Sequence, residues 1–309
     1  MTDDLRARLD TLATEAFRPE LADLDLLPTL RIAELMNGED RTVPEAVGRL
    51  LPEISAAVDA IADRLARGGR LVYAGAGTAG RVGVLDAAEC PPTFSTPPGL
   101  VVGLIAGGPE AVLQAVEGAE DDRGLAVRDL DGLRITAADA VIGVSASGRT
   151  PYAVAAVEHA RARGALTVGL ACTDGSELGA AAEHPIEVVV GPELLTGSTR
   201  LKAGTAQKLV LNMVSTITMV RLGRTYGNLM VDLRATNAKL RARCHRIVTL
   251  ATGAGPAAVT RALDAADGEV KPAILTLLTG LAPADATALL AAHAGRLRAA
   301  LDAAAAAGA

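Results

Sequence analysis

Five short apolar runs constrain this chain more than any other feature. They fall at residues 71–74, 100–105, 140–144, 166–171 and 186–190, and helical patterns link four of them. Such runs, separated by helices, indicate a parallel sheet covered on both faces. A unit recurs along the way: strand, loop of small residues, helix start. No fixed-period repeat is visible. Residues 1–68 read as helical, with one helix expected over 43–67 on an apolar face at Val47, Leu50, Leu51, Ile54, Val58, Ile61 and Leu65. Gly68-Gly69 stops it. A helix over 81–89 is expected to end at Pro91-Pro92, and residues 192–246 read as helical again. Gly253-Ala254-Gly255-Pro256 marks a boundary before a small helical module, and the run 303–307 is expected to fray.

Composition removes several classes of function. The chain of 309 residues carries a net charge of −6, no Trp, two Phe and three Tyr. Scattered Lys and Arg give no polyanion surface, and stacking platforms for bases are missing, so no nucleic-acid partner is expected. The longest apolar helical run, 209–220, is shorter than the roughly 20 residues a membrane span needs, so no membrane partner is expected either. The start, Met1-Thr2-Asp3-Asp4, is acidic and unlike a signal peptide. Three widely spaced cysteines, Cys90, Cys172 and Cys244, suit a reducing compartment. The expected location is the cytoplasm.

Two loops have the chemistry to hold phosphate. The first, Gly75-Ala76-Gly77-Thr78-Ala79-Gly80, matches G-x-G-x-x-G. A dinucleotide site also needs an acid at the end of the next strand, and Leu104-Ile105-Ala106-Gly107-Gly108 supplies none. The second, Ser145-Ala146-Ser147-Gly148-Arg149-Thr150-Pro151, sets three hydroxyls before a helix opened by proline. Hydroxyls and free helix N–H groups together seat a phosphate monoester; alternatively, Thr150 is simply an N-cap. Ligands of open parallel sheets bind at strand carboxyl ends near a reversal of strand order. If the two strands are neighbours, both loops face one ligand.

Carboxylates are the candidates for chemistry. Glu89 is expected at a helix C-terminus, where the dipole raises its pKa and suits it to general acid work. Glu117, Glu120, Asp121 and Asp122 form an acidic group at the end of another helical stretch, where mutual repulsion can lift one pKa. Each also reads as a solvated surface acid. The four histidines show no paired spacing, so no metal is expected, and no G-x-S-x-G elbow occurs.

Several strings closely resemble the N-acetylmuramic acid 6-phosphate etherases of the sugar isomerase (SIS) superfamily. They are the first loop with Arg81, Leu85-Asp86-Ala87-Ala88-Glu89-Cys90-Pro91-Pro92-Thr93-Phe94, Gly103-Leu104-Ile105-Ala106-Gly107-Gly108, and Ala115-Val116-Glu117-Gly118-Ala119-Glu120-Asp121-Asp122. The serine loop with Tyr152 is another. The longest runs from Gly191-Pro192-Glu193 through Gly197-Ser198-Thr199-Arg200-Leu201-Lys202 to Gln207-Lys208, followed by Tyr226-Gly227-Asn228-Leu229-Met230-Val231-Asp232 and Ala235-Thr236-Asn237.

This resemblance implies an α/β fold: a three-layer αβα, flavodoxin-like parallel sheet over 69–250, N-terminal helices over 1–68, and a C-terminal helical domain over 251–309. It implies a homodimer acting on a small sugar phosphate without cofactor. The implied reaction removes D-lactate from C3 of N-acetylmuramic acid 6-phosphate by elimination and then adds water, giving N-acetylglucosamine 6-phosphate. Glu89 is implied as the acid on the departing lactate and Glu120 as the base at C2. Gly77, Thr78, Ser145, Ser147 and Thr150 fall where the superfamily holds sugar phosphate, joined by Ser198, Thr199 and Lys202 from the next helix start. Ala79 departs from the serine many relatives carry, removing one donor. The alternative is a non-catalytic sugar-phosphate-binding regulator of the same superfamily. An aldose–ketose isomerase shares fold and proton abstraction, but residues 85–94 argue against it.

Overall fold

The computed structural model describes residues 16–233 and 238–307. The first fifteen residues of the expected N-terminal segment, and the Ala235-Thr236-Asn237 string, lie outside them. Two compact units emerge: one from residues up to Ala88 together with Gly99–Ser215, the other from Glu89–Pro98 together with Thr216 onward. Gly253, where a boundary is expected, lies in a turn between two helices of the second unit.

The first unit holds the sheet. Strands β1 (Leu71–Gly75), β2 (Val101–Ile105), β3 (Ala140–Val144), β4 (Leu166–Ala171) and β5 (His184–Glu187) pair in the order β2-β1-β3-β4-β5, all parallel. That order explains the sequence pattern. Strands β1, β3 and β4 are interior and every residue in them is buried, whereas β2 and β5 are edges and partly exposed. The last strand begins two residues before the apolar run 186–190 and ends at Glu187, opposite Ala171, where β4 itself stops. Val188 and Val190 are buried as coil.

Among the described residues, eight α-helices begin in this unit. They are α1 (Thr29–Asp40), α2 (Thr42–Gly48), α3 (Leu51–Ala66), α4 (Gly77–Phe94), α5 (Arg123–Leu133), α6 (Pro151–Ala162), α7 (Glu177–Ala181) and α8 (Lys202–Arg221). Val72, Ala74 and Val141 pack with Ala126 and Leu130 of α5 and with Tyr152, Ala156 and Ala160 of α6. The expected single helix over 43–67 is two, α2 and α3. Pro52 has no N–H for the Gly48 carbonyl, so the helix breaks and restarts with proline in its first turn. Conversely, α4 does not stop at Pro91-Pro92 but runs through them to Phe94. Ser95, at φ 46°, then turns the chain left-handed while its N–H donates to the Pro91 carbonyl (2.9 Å).

Asp139 ties together the ends of β1 and β3 that lie away from the candidate site. It accepts from the backbone N–H, Nε and Nη2 of Arg70 (3.0, 3.0 and 2.9 Å) and from the Thr136 N–H (2.9 Å). Burial alone would raise its pKa, but Arg70 and the Thr136 N–H outweigh it and hold the carboxyl below its ordinary range. A depressed folded pKa means stability that is present at neutral pH and lost as pH falls through that folded value. Asp139→Asn is therefore expected to lose about 2–3 kcal/mol at pH 7 in urea unfolding. The gap to the parent should close as the solution is taken below the ordinary carboxylate range.

The second unit contains a hairpin, β6 (Thr225–Tyr226) and β7 (Leu229–Met230), and helices α9 (Ala238–Thr252), α10 (Pro256–Ala265), α11 (Val270–Thr279), α12 (Pro283–Ala292) and α13 (Leu297–Ala307). Within the expected helical stretch 192–246, the hairpin intervenes because Gly227-Asn228 forms a two-residue turn, with Gly227 at φ 56°. Alanines 303–307 complete α13 rather than leaving it frayed, as alanine's helix propensity favours. Buried Lys271 joins three segments of this unit, donating to Gly223 O (3.0 Å), Gly295 O (2.7 Å) and Asp232 (2.8 Å). Among the described residues, no single helix is long and apolar enough to cross a membrane.

Candidate active site

The strand order reverses between β1 and β3, which are direct neighbours with Gly75 opposite Val144. The first loop and the serine loop leave those two strand ends side by side, at the reversal where open sheets bind ligands. Sequence made this conditional on the strands being neighbours, and they are.

Close backbone approach shapes the first loop. A Cβ at Gly75 would lie 2.9 Å from the Gly80 nitrogen, and one at Gly80 would lie 2.6 Å from the Ile105 side chain. Helix α4 therefore starts directly on the strand end, with Gly77 (φ 53°) and Thr78 in its first turn. Ala79 is buried at 7% exposure, so little of its side chain is open to a ligand.

The serine loop is a hydroxyl cluster. Ser145 Oγ lies 2.7 Å from Thr150 Oγ1 and 3.5 Å from Ser147 Oγ, and accepts from the Gly148 N–H at 3.0 Å. Thr150 occupies the position before α6 but makes no capping hydrogen bond, so its hydroxyl is not spent as an N-cap. The loop bends at Gly148, φ 66°, against Ser176.

Beside the first loop opens a cavity of about 180 Å³ lined by Ala76, Gly77, Arg81, Glu117 and Glu120. Arg81 projects from α4 and donates to the carbonyls of Ala111 (2.8 Å) and Val112 (3.0 Å), pinning the 3₁₀ turn Pro109–Val112. Glu120 stands exposed on a second 3₁₀ turn, Ala119–Asp121. The acidic group is thus at a helix start rather than a helix end. Asp122 caps α5, accepting from the Leu125 N–H (2.9 Å) and from Arg128 (2.9 Å). These contacts lower its pKa.

The family model for the SIS domain matches residues 125–217, and that for the glucokinase regulatory protein N-terminal SIS domain matches 53–161. An N-acetylmuramic acid 6-phosphate etherase of Streptomyces avermitilis is 71% identical over 97% of this chain and 96% of its own length. That of Rubrobacter xylanophilus is 62% identical over 87% and 89%, and that of Pectobacterium atrosepticum 57% over 86% and 88%. The chain belongs to the N-acetylmuramic acid 6-phosphate etherase family. Among solved structures, a phosphoheptose isomerase from Neisseria gonorrhoeae is similar at a TM-score of 0.47 and 19% identity, covering 61% of this chain and 96% of that one.

For an etherase-family site, the remaining sequence candidates are placed less simply. Glu89 is exposed, but α4 continues five residues past it, so it is an interior helix residue rather than the helix C-terminus expected. Lys202 opens α8 with its side chain 5% exposed and its ammonium paired to Glu39 at 2.6 Å. Ser198 and Thr199 precede it, half-buried. The start of α8 lies close to Thr78: a Cβ at Gly204 would be 3.2 Å from the Thr78 methyl.

Besides Asp139, two buried carboxylates escaped the sequence reading. Glu193, fully buried, accepts from the N–H groups of Lys202 and Ala203 (both 3.0 Å) and so caps α8. Asp86, 5% exposed, accepts from Tyr73 Oη (2.7 Å), Asn212 Nδ2 (2.6 Å) and Ser215 Oγ (3.1 Å). Burial pushes its pKa up against the pull of those donors. Asn212 and Ser215, which interrupt the apolar run 209–220, are polar because Asp86 meets them. That was the available signal.

Proposed function

We propose that this chain is a carbon–oxygen lyase that cleaves the C3 lactyl ether of N-acetylmuramic acid 6-phosphate, releasing D-lactate and leaving N-acetylglucosamine 6-phosphate. The observation that carries this reading is 71% identity, over nearly the whole length of both chains, to a protein of that name.

The chemistry follows from the substrate. An ether oxygen is a poor leaving group, but in the open-chain sugar the C2 hydrogen is acidified by the neighbouring aldehyde. A base takes that proton, the electrons form a C2–C3 double bond, and the C3–O bond breaks as an acid protonates the lactate oxygen. Water then adds across the unsaturated aldehyde, its oxygen to C3 and a proton to C2. Each positioned transfer contributes about 10²–10⁴-fold. Glu120 serves as the base and Glu89 as the acid, as their places in the family's strings imply. Thr78 and the hydroxyls of Ser145, Ser147 and Thr150 hold the phosphate, with the first-turn N–H groups of α4 and α6. Ser198, Thr199 and Lys202 complete the anion contacts. The enzyme works as a homodimer and in the cytoplasm, which suits its three widely spaced cysteines.

Incubating the purified chain with N-acetylmuramic acid 6-phosphate tests the reading. Release of D-lactate in equal amount with N-acetylglucosamine 6-phosphate is expected. A ketose product would make it an isomerase, and binding without turnover would make it a regulator.

A further inference from the structure

The start of α8 is already occupied by the protein's own acids. Its Lys202 and Ala203 N–H groups go to Glu193, and the Gly204 N–H goes to the Thr199 carbonyl (3.0 Å). What remains there for an incoming anion is the Lys202 ammonium, with the hydroxyls of Ser198 and Thr199. That ammonium is held by Glu39 Oε2, while Glu39 Oε1 accepts from Arg18 at 2.6 Å. Arg18 in turn donates to exposed Glu20.

The segment supplying Glu39 and Arg18 has no fully buried side chain. None of residues 16–40 is buried, including all of α1 and the two 3₁₀ turns before it. Its apolar side chains Leu21, Leu24, Leu27, Ile32 and Leu35 are only half-buried, so its polar links carry part of the work of holding it in place. A carboxylate on a lysine ammonium is also the contact a phosphate monoester would make with the same three N–H donors.

We infer that Glu39 is an internal competitor of the anionic substrate for Lys202, so that binding the sugar phosphate displaces Glu39 and frees segment 16–40 from the start of α8. This rests on the reading that Lys202 meets the substrate. Burial raises the Glu39 pKa, but Lys202 and Arg18 outweigh it and keep the group below the usual carboxylate range, ionised at neutral pH and able to compete. Arg18 weakens the latch, because it draws the same carboxylate away from Lys202.

Opposite signs test this. Calorimetric titration with N-acetylglucosamine 6-phosphate at low salt should show Glu39→Gln binding roughly two- to fivefold tighter than the parent, the scale of one partly exposed charge pair. Arg18→Met should bind weaker by a similar factor, and Lys202→Met should abolish the response to Glu39→Gln. Glu39→Gln binding equally or more weakly overturns the inference, as does its tightening in a Lys202→Met background. A purely structural Glu39 would make both single variants weaker. If Glu39→Gln does not fold, amide exchange in the parent decides: it should rise over residues 16–40 on saturation, and no rise overturns the latch. Failure of the parent to bind this product at all would strike instead at the proposed function.

Discussion

Glu89→Gln is expected to lower lactate release by about 10²–10⁴-fold while leaving the affinity for N-acetylglucosamine 6-phosphate within about twofold of the parent. The substitution keeps the shape of the side chain and removes its proton. Glu89 is exposed and lies in the interior of α4, so an amide there costs the helix little. The hydroxyls proposed to hold phosphate belong to the first turn of that helix and to the serine loop. Turnover and binding should therefore separate. A lactate assay and a calorimetric titration on the same preparation measure both, and parallel loss of the two would give Glu89 a structural role.

The second large effect is on the serine loop. Gly148 adopts φ 66°, and a Cβ there would sit 2.3 Å from Ser176 Cβ and 3.0 Å from Ala171 Cβ. Ser176 cannot step aside. It is 3% exposed, donates to Glu187 Oε1 (2.7 Å) and caps α7 through the Gly179 N–H (2.9 Å). Left-handed strain and the clash together should make Gly148→Ala less stable by roughly 2–5 kcal/mol. The Ser145 hydroxyl that accepts from the Gly148 N–H would be displaced, so product binding should fall as well. Urea unfolding with titration of the folded variant checks this; a loss under about 1 kcal/mol with binding intact would mean that the loop tolerates a side chain.

The sheet was legible because fully buried parallel strands print as unbroken apolar runs. Residues 140–144 and 166–171 needed no adjustment. Where apolarity came from packing rather than pairing, it misled: Val188 and Val190 are buried outside any strand. Proline cut both ways. Pro52 broke a helix that periodicity continued, and Pro91-Pro92 failed to break one, since a proline's effect depends on whether the carbonyls it deprives are otherwise tolerated. Of the site, the hydroxyl loop could be read because its chemistry is local. Strand adjacency was not readable, because β1 and β3 are separated by a whole crossover. Nor were the contacts of Glu39, Asp86 and Glu193, whose partners lie 163, 126 and 9 residues away. The Tyr226–Leu229 hairpin did leave a local signal, Gly227-Asn228 between apolar neighbours, that the helical pattern around it obscured.

Turnover of N-acetylmuramic acid 6-phosphate in deuterium oxide enriched in oxygen-18 tests the chemistry most directly. Elimination followed by water addition puts deuterium at C2 and solvent oxygen on C3 of the amino sugar, and the freed lactate keeps the ether oxygen. Unlabelled C2 with solvent oxygen in the lactate would mean direct cleavage on the lactyl side, with no carbon-bound proton ever removed.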